Sequence, residues 1–409
     1  KSTCIAGATG LIGPKMTAAL MTSLLLLAGT VGLAADLVSL AGGGTRRFEV
    51  DLPGYLSQYD VVYLCPARAP DEGLPLGNGD LCVAVWNSDT LNLTMGKSDV
   101  WTPDPNVPNS VEQYRELFAT HRERLLMLRR NPAIERYDLR DGARSPHRPP
   151  RQTDVRIGRT NPYTLGEICV RLGQHPDSQD FEGRLELLTG TASYRRAGLK
   201  SEVYVDEGRG LVVCRVRNAT EQVPREVELW HWDSQQFGAG EGMIWLERRF
   251  DDGSGYALAI GTDLRQCEGE VREPGHRAAL SLGPEADFHL FLAAVTTSES
   301  DRPLEAAKHL IRQAQGEDPT ARKQRHDQFW RRFWTRSYVD FADRYCANLW
   351  YLFLYNMGCS SRGRYPPRFE AGYWGARGFI HWGGGYWQYN QQMLYWPLDA
   401  ANHPELMEP

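Results

Sequence analysis

From about residue 47 to residue 296 the sequence advances in short runs with a two-residue period. "LCVAVW", "TLNLTM", "FEGRLELL", "SEVYVDE", "LVVCRVR", "EVELWHW", "GMIWLERRF", "GYALAIG", "RAALSL" and "FHLFLAAV" are separated by Gly, Pro, Asn and Asp. Alternation of this kind places successive side chains on opposite faces of an extended chain, and the breakers mark its turns. Many strands in succession with few helices between them leave no room for parallel crossovers. They predict a large antiparallel sandwich whose inner faces form the core.

One stretch breaks the strand rhythm. Residues 103–160 hold a helical piece, "VEQYRELFATHRERLLMLRR", and then an Arg/Pro-rich loop, "RDGARSPHRPPRQTDVRIGR". The pair reads as an insertion in the sandwich. Its basic loop is either a solvated excursion or a clasp for an acidic polysaccharide.

After "TTSESDRP" the period becomes helical. Asp301 and Pro303 have the character of a cap and first turn for "PLEAAKHLIRQAQG", closed by Gly316. Asp318 and Pro319 open a second helix, "TARKQRHDQFWRRFWTRS", with Phe329, Phe333 and Trp334 at helical spacing. A third, "ADRYCANLWYLFLYNMG", is apolar on nearly all sides and is expected to be deeply buried. A loop rich in Gly, Pro and Trp over 358–385 then leads into a last helix. At 409 residues the chain is long enough for two domains.

The N-terminus carries two rival signals. "TAALMTSLLLLAGTVGLAA" over 17–35 is uncharged, follows Lys15 and ends in small residues. That is the pattern of a secretory segment, or of a retained anchor, with Met16 as a natural start. "GATGLIG" over 7–13 places Gly7, Gly10 and Gly13 as in a dinucleotide-binding turn. That fold also needs alternating strands and helices and an acidic residue after its second strand, and strand-rich sequence follows instead. The net charge of −5 and pI near 6.1 do not favour nucleic acid as a partner. Eight cysteines lie without the close spacing of a metal knuckle or redox pair, several inside strand-like runs, so they read as structural thiols. No metal site or cofactor is expected.

The residues with the most chemical content are near the end of the chain. Gln388, Gln392, Tyr395 and Asp399 fall at i, i+4, i+7 and i+11 and form one polar stripe. Tyr389, Met393, Trp396 and Ala400 form the apolar stripe beside it. Trp374, His381, Trp382 and Trp387 precede them, spaced by glycines. Amides, indole faces and a carboxylate suit sugar hydroxyls; an amphipathic helix with a wet polar face is the alternative. Hydrolysis of a glycosidic bond requires two flanking carboxylates, for which Glu370, Asp399, Glu405 and Glu408 are candidates. His231 and His403 lack companions at metal-ligand spacing and read as structural histidines.

Four blocks also resemble a known superfamily. "GLPLGNGDLCVAVWNSDTLNLTMGKSDVW" (73–101) is similar to the opening of the N-terminal β-domain of six-hairpin glycosidases. "RLELLTGTASYRRAGLKSEVYVDEGRGLVVCRVR" (184–217) is similar to the middle of that domain in inverting α-L-fucosidases, and "HDQFWRRFWTRSYVDF" resembles the linker helices. "WQYNQQMLYWPLDAANHPEL" resembles the helix at the entrance of the family's (α/α)6 toroid. The resemblance spans about 47–409, with the blocks in the family's order, and is closest to an uncharacterised bacterial branch. It implies a β-supersandwich over 36–296, linker helices over 297–337, and the first part of a catalytic toroid over 338–409.

The activity implied is inverting hydrolysis, or in some relatives phosphorolysis, of a glycosidic bond. The substrate would be an oligo- or polysaccharide and the location secreted or periplasmic. The family's two water-orienting asparagines fall on Gln388 and Asn390; the first is one methylene longer here. Leu394 stands where the family has a further Asn, and "FEAGYW" lacks a sugar-contacting amide. The family's general acid and catalytic aspartate lie beyond Pro409. A C-terminally truncated enzyme with little turnover, or a carbohydrate-binding protein without catalysis, is therefore expected.

Overall fold

The computed structural model describes residues 50–87, 90–101, 162–172, 180–196, 198–208, 210–217, 225–233, 235–250, 253–367, 374 and 388–409, with four isolated helical positions, Arg115, Glu116, Ala119 and Arg122. Residues 1–49, with both N-terminal signals, lie outside the described residues, as does most of the insertion. The chain divides into two units. One holds residues up to Val100 and from Pro162 on; the other is Trp101–Asn161, of which little is described.

The alternating runs form two antiparallel sheets. The nine-stranded sheet contains β1 (Val61–Tyr63), β6 (Phe181–Glu186), β7 (Thr191–Arg196), β8 (Leu199–Val205), β9 (Leu211–Arg217), β16 (Phe288–Thr296), β13 (Gly255–Thr262), β12 (Met243–Arg249) and β11 (Gln236–Gly240), in that spatial order. The seven-stranded sheet runs β14 (Cys267–Glu273), β15 (Arg277–Leu282), β10 (Glu226–Trp230), β5 (Pro162–Arg171), β4 (Leu91–Trp101), β3 (Leu81–Asn87) and β2 (Leu74–Gly77). Leu165, Leu229, Leu246 and Leu258, from strands of both sheets, are all buried in the core between them.

Not every strand alternates. All eight residues of β13 are buried. Its inner face packs in the core, and its outer face is covered by helix α2 (Pro303–Gly316) through Ala307, Ile311 and Ala314 against Ala259, Phe291 and Ala293. A strand covered on both sides reads as a continuous apolar run, which is why "GYALAIG" has no polar face. On β4, by contrast, Asn92 and Thr94 point away from the core and are occupied by neighbours. Asn92 Nδ2 donates to the Thr90 carbonyl at 2.8 Å, and Trp86 Nε1 donates to Thr94 Oγ1 at 3.3 Å.

The helices after the sandwich follow, with corrections. The N-cap of α2 is Arg302, without a side-chain cap bond, and not Asp301. Pro303 still occupies the first turn, where a missing N–H costs nothing. Helix α3 (Pro319–Trp334) starts as expected: Asp318 accepts from Thr320 N at 3.0 Å and Ala321 N at 3.2 Å. Its buried face adds Trp330 to Phe333 and Trp334, and Trp334 Nε1 donates to the Leu187 carbonyl at 2.6 Å. Trp330 lies against Gly190, whose φ of 55° and lack of a side chain admit the indole; a Cβ there would sit 2.8 Å from its Cζ2.

Helix α4 (Arg344–Ser360) is not buried on all sides. Ala347, Tyr351, Leu354, Tyr355 and Met357 are buried, whereas Tyr345, Leu349 and Asn356 are exposed. Its apolar composition serves one face against the sandwich, where Tyr355 donates to the Pro75 carbonyl at 2.8 Å, and leaves the other open. A one-turn helix, α1 (Leu52–Leu56), precedes the sheets and packs beside α4 through the Tyr55, Tyr59 and Tyr351 rings.

Candidate functional site

The turn that links β2 to β3, Gly77-Asn78-Gly79-Asp80, is one of the places where sandwich and helices meet. Asn78 Oδ1 accepts from the Asp80 and Leu81 amides at 3.1 and 2.9 Å, closing the turn, while its Nδ2 reaches the Asp206 carbonyl at 2.9 Å. Gly79 has φ of 91°, and its N–H donates to the Cys359 carbonyl at the end of α4, 2.6 Å away. A Cβ on Gly79 would lie 2.5 Å from Gly363 N and 2.7 Å from the Arg362 carbonyl carbon. Two glycines therefore let two backbones touch.

Charge closes the same joint. Lys97, almost wholly buried, bonds Asp80, lies 3.1 Å from Glu299 and stands 3.6 Å from Asp99. Burial alone pulls an ammonium pKa down, but the fields of Asp80, Asp99 and Glu299 prevail and hold it above its ordinary value. Thr296 and Ser298 hydroxyls each donate to Asp99 Oδ2 at 2.6 Å. Arg362 places Nη1 on both oxygens of Glu207 (2.7 and 2.6 Å), donates to the Gly358 carbonyl, and lies over the Phe329 ring at 4.1 Å. The residues 73–101 that carry the resemblance thus mount the helices on the sandwich.

The last helix, α5 (Gln388–Ala400), is seated by Leu394, Tyr395, Leu398 and Ala401. Tyr395 is half-buried, its hydroxyl 3.3 Å from Ser361 Oγ and 3.4 Å from Gln391 Nε2; that amide also donates to the Pro367 carbonyl at 2.8 Å. Gln392 and Asp399 are exposed, and Asn390 is half-buried. Gln388 opens the helix. Tyr389, Met393 and Trp396 point outward, with the Tyr389 and Trp396 rings edge-to-face at 5.8 Å. The expected apolar stripe is therefore an exposed one. The packing edge runs through Gln391, Leu394, Leu398 and Ala401 instead, spaced i, i+3, i+7 and i+10, a pattern weaker in the sequence because a glutamine begins it.

Trp374 differs from its expected role. Its indole N–H donates to the Leu76 carbonyl at 2.8 Å, and the ring packs on the core, so its polar handle belongs to the scaffold. Trp382 and Trp387 lie outside the described residues, as do His381 and Glu370. Helix α5 thus brings Asn390, Gln392, Tyr395 and Asp399 onto one element, with Tyr395 turned inward.

Among the other candidate carboxylates, Glu405 is bonded to Arg336 and accepts from His403 Nδ1 at 2.9 Å. His403 is buried beneath Phe333, ring centroids 4.2 Å apart, and burial lowers its pKa. These contacts pin the chain after α5 to α3. His231 is likewise structural: Nε2 faces the Thr164 carbonyl at 3.1 Å, Nδ1 accepts from the Asp233 amide at 2.9 Å, and burial lowers its pKa. Among the described residues no cluster of three or more His, Cys, Asp or Glu is arranged to hold a metal ion. The seven described cysteines are free thiols, three of them buried.

No curated protein matches the sequence. Among solved structures, a protein assigned as a kojibiose phosphorylase from human microbiome is 11% identical with a TM-score of 0.44, covering 75% of this chain and 42% of its own. A family GH92 inverting mannosidase from Bacteroides thetaiotaomicron is 11% identical with a TM-score of 0.36, over 49% of this chain and 30% of its own. A bacterial glucoamylase complexed with acarbose is 8% identical with a TM-score of 0.35, over 50% of this chain and 36% of its own. This chain therefore spans less than half the length of each. The family described as glycosyl hydrolase family 65, N-terminal domain, matches residues 61–299, from β1 to just past β16. With its two antiparallel sheets and helices after them, the chain belongs to that family.

Proposed function

We propose that this chain serves glycosidic-bond cleavage, and that the outward side of α5 with the segment leading into it forms one wall of a saccharide site in an (α/α)6 catalytic domain. One observation carries the reading: Tyr389, Met393 and Trp396 are exposed together on a helix that also presents Gln392 and Asp399. Solvated helix faces ordinarily carry Lys and Glu. Aromatic faces beside amides and a carboxylate match the apolar and hydroxylated sides of a sugar. Gln388 and Asn390 would orient an attacking water, and Trp382 and Trp387 would stack on neighbouring rings. Cleavage with inversion, and export through residues 17–35, complete the proposal.

A second reading, saccharide binding without cleavage, is favoured by the state of the carboxylates. Inversion requires two, about 6.5–9.5 Å apart. Glu405 is committed to Arg336 and His403, which leaves Asp399 exposed without it as a counterpart. The two readings separate in one experiment. The 409-residue protein is titrated with maltose and kojibiose while Trp emission is followed, and the same mixtures, with and without phosphate, are assayed for released glucose by NMR. Saturable quenching that is lost in Trp396→Ala, without product, supports the binding form. Product with the opposite anomeric configuration supports the enzyme. Neither quenching nor product would sink both.

A further inference from the structure

Away from the helices, the outer face of the seven-stranded sheet carries a cleft of about 140 Å³. The side chains that shape it are Trp86 on β3, Asn92 on β4, Glu167 and Arg171 on β5, and Glu228 and Trp230 on β10. Strand pairing explains how they meet. Trp86 lies opposite Asn92, Trp230 opposite Glu167, and β10, β5, β4 and β3 are adjacent in that order. The residues share the face turned away from the core, where Val85, Leu93, Val227 and Leu229 point inward. Trp86 is five residues along β3 from Leu81 at the joint, ~17 Å at strand rise. The cleft is therefore separate from the joint with the helices.

Its chemistry is specific. Trp86 and Trp230 are half-buried and stand on strands three spacings apart, roughly 14 Å, so they bracket the floor from two sides. Between them Arg171 Nη1 touches Glu228 Oε2 and, at the edge of the cleft, Glu226 Oε1, both at 2.6 Å; from β15 and β14, beyond β10, Arg277 reaches Glu228 at 3.1 Å and Arg272 reaches Glu226 at 2.7 Å. Burial opposes ionisation of Glu226, yet Arg272 and Arg171 hold its carboxyl below the ordinary value. Of the residues lining the cleft, Arg171 faces Glu167 and Glu228, and Arg272 and Arg277 outside it pair further with Glu270 and Glu273, so carboxylates outnumber guanidinium groups. An anionic ligand would be disfavoured there. A neutral one with vicinal hydroxyls can use the outer edges of these ion-paired groups as acceptors and donors, and its C–H face can lie on indole. The space is close to that of a cavity of about 150 Å³ that takes one benzene ring, and well below the 300 Å³ or so at which drug-sized ligands begin to fit.

We infer that this cleft is a saccharide-binding site for one neutral pyranose unit, held between Trp86 and Trp230 by Glu167, Arg171 and Glu228. It is an accessory site on the sandwich, and it does not rest on the catalytic reading of α5. Saturation-transfer NMR on the 409-residue protein with methyl α-D-glucopyranoside, methyl α-D-mannopyranoside and methyl β-D-galactopyranoside tests it. At least one glycoside is expected to bind saturably in the millimolar range, as one ring with few contacts should. Trp86→Ala and Trp230→Ala should each weaken it about ten-fold or more with the far-UV spectrum unchanged, Trp86→Phe less, and Trp396→Ala on α5 not at all. The inference is overturned if none of the three saturates, if binding survives both tryptophan substitutions, or if D-glucuronate binds more tightly than its neutral counterpart. Should Trp86→Ala fail to fold, Trp86→Phe and Glu228→Gln carry the same comparison.

Discussion

Replacing Gly79 by alanine tests whether the Gly77–Asp80 turn holds the helices on the sandwich. Two costs are superposed. The first is conformational: an L-residue at φ of 91° pays about 1–2 kcal/mol. The second is specific to the joint. The new Cβ would lie 2.5 Å from Gly363 N and 2.7 Å from Arg362 C, both backbone atoms, so the turn must withdraw. Withdrawal strains the 2.6 Å bond from Gly79 N to the Cys359 carbonyl, worth about 1 kcal/mol, and overpacking adds about 1–3 kcal/mol. The total is about 3–6 kcal/mol. Gly253, at φ of 83° in the β12–β13 hairpin with nothing within 4 Å of its would-be Cβ, supplies the control. Gly253→Ala should cost only the first part, about 1–2 kcal/mol. Urea titrations should follow Trp emission, to which Trp330, Trp334 and Trp350 on the helices and Trp86, Trp230 and Trp245 on the sheets all contribute, alongside far-UV dichroism. In Gly79→Ala the transition should move to lower urea by more than in Gly253→Ala. Equal costs for the two substitutions, within about 0.5 kcal/mol, would show that the turn does not hold the joint.

Three further outcomes follow from the same geometry. His326 is buried with Nε2 donating to the Thr189 carbonyl at 2.7 Å, and burial, helped by Lys323, pushes its pKa down to about 3. An unfolded imidazole takes its proton near 6.5, so the unfolded chain binds the extra proton as pH falls. Stability is intact above about pH 6.5 and drops by up to roughly 5 kcal/mol toward pH 3, and His326→Gln should remove that part of the slope in acid-unfolding curves. Lys97→Met leaves Asp80, Asp99 and Glu299 without their shared cation and should cost about 3–5 kcal/mol in urea, partly restored by adding Asp80→Asn. A thiol reagent on the folded protein should modify exposed Cys65 well before Cys214 and Cys359, which burial pushes up to about 12; comparable rates would show an open core.

The sandwich was legible because its pattern is local. A two-residue period bounded by turn formers needs no knowledge of partners, and β3, β4, β6, β8, β9, β10, β12, β13, β15 and β16 all stand where that period placed them. Strands β1, β7, β11 and β14 carried too little apolar signal; "CEGEVRE" is an edge strand with charged residues on both faces, as an unpaired edge tolerates. The open face of α4 was not legible, because apolar composition does not say how many sides of a helix are covered. The α5 region shows the limit most clearly. The wheel correctly grouped Tyr389, Met393 and Trp396, but which stripe faces the protein depends on where Tyr351, Phe333 and Leu406 lie, and those arrive from elsewhere in the chain. The role of Trp374 was hidden for the same reason, since its acceptor, the Leu76 carbonyl, is almost three hundred residues away. The Trp86–Trp230 cleft joins strands that only the sheet order makes adjacent.

The occupied polar face of β4 has a practical consequence. Asn92-Leu93-Thr94 is a glycosylation sequon, yet its amide is bonded to Thr90 and its hydroxyl accepts from Trp86. A glycan added before the sheet closes would have to be accommodated where Trp86 and β5 pack, so production in a eukaryotic secretory host should give either unmodified Asn92 or chains retained as misfolded. Asn92→Gln is the substitution to make for production in such a host.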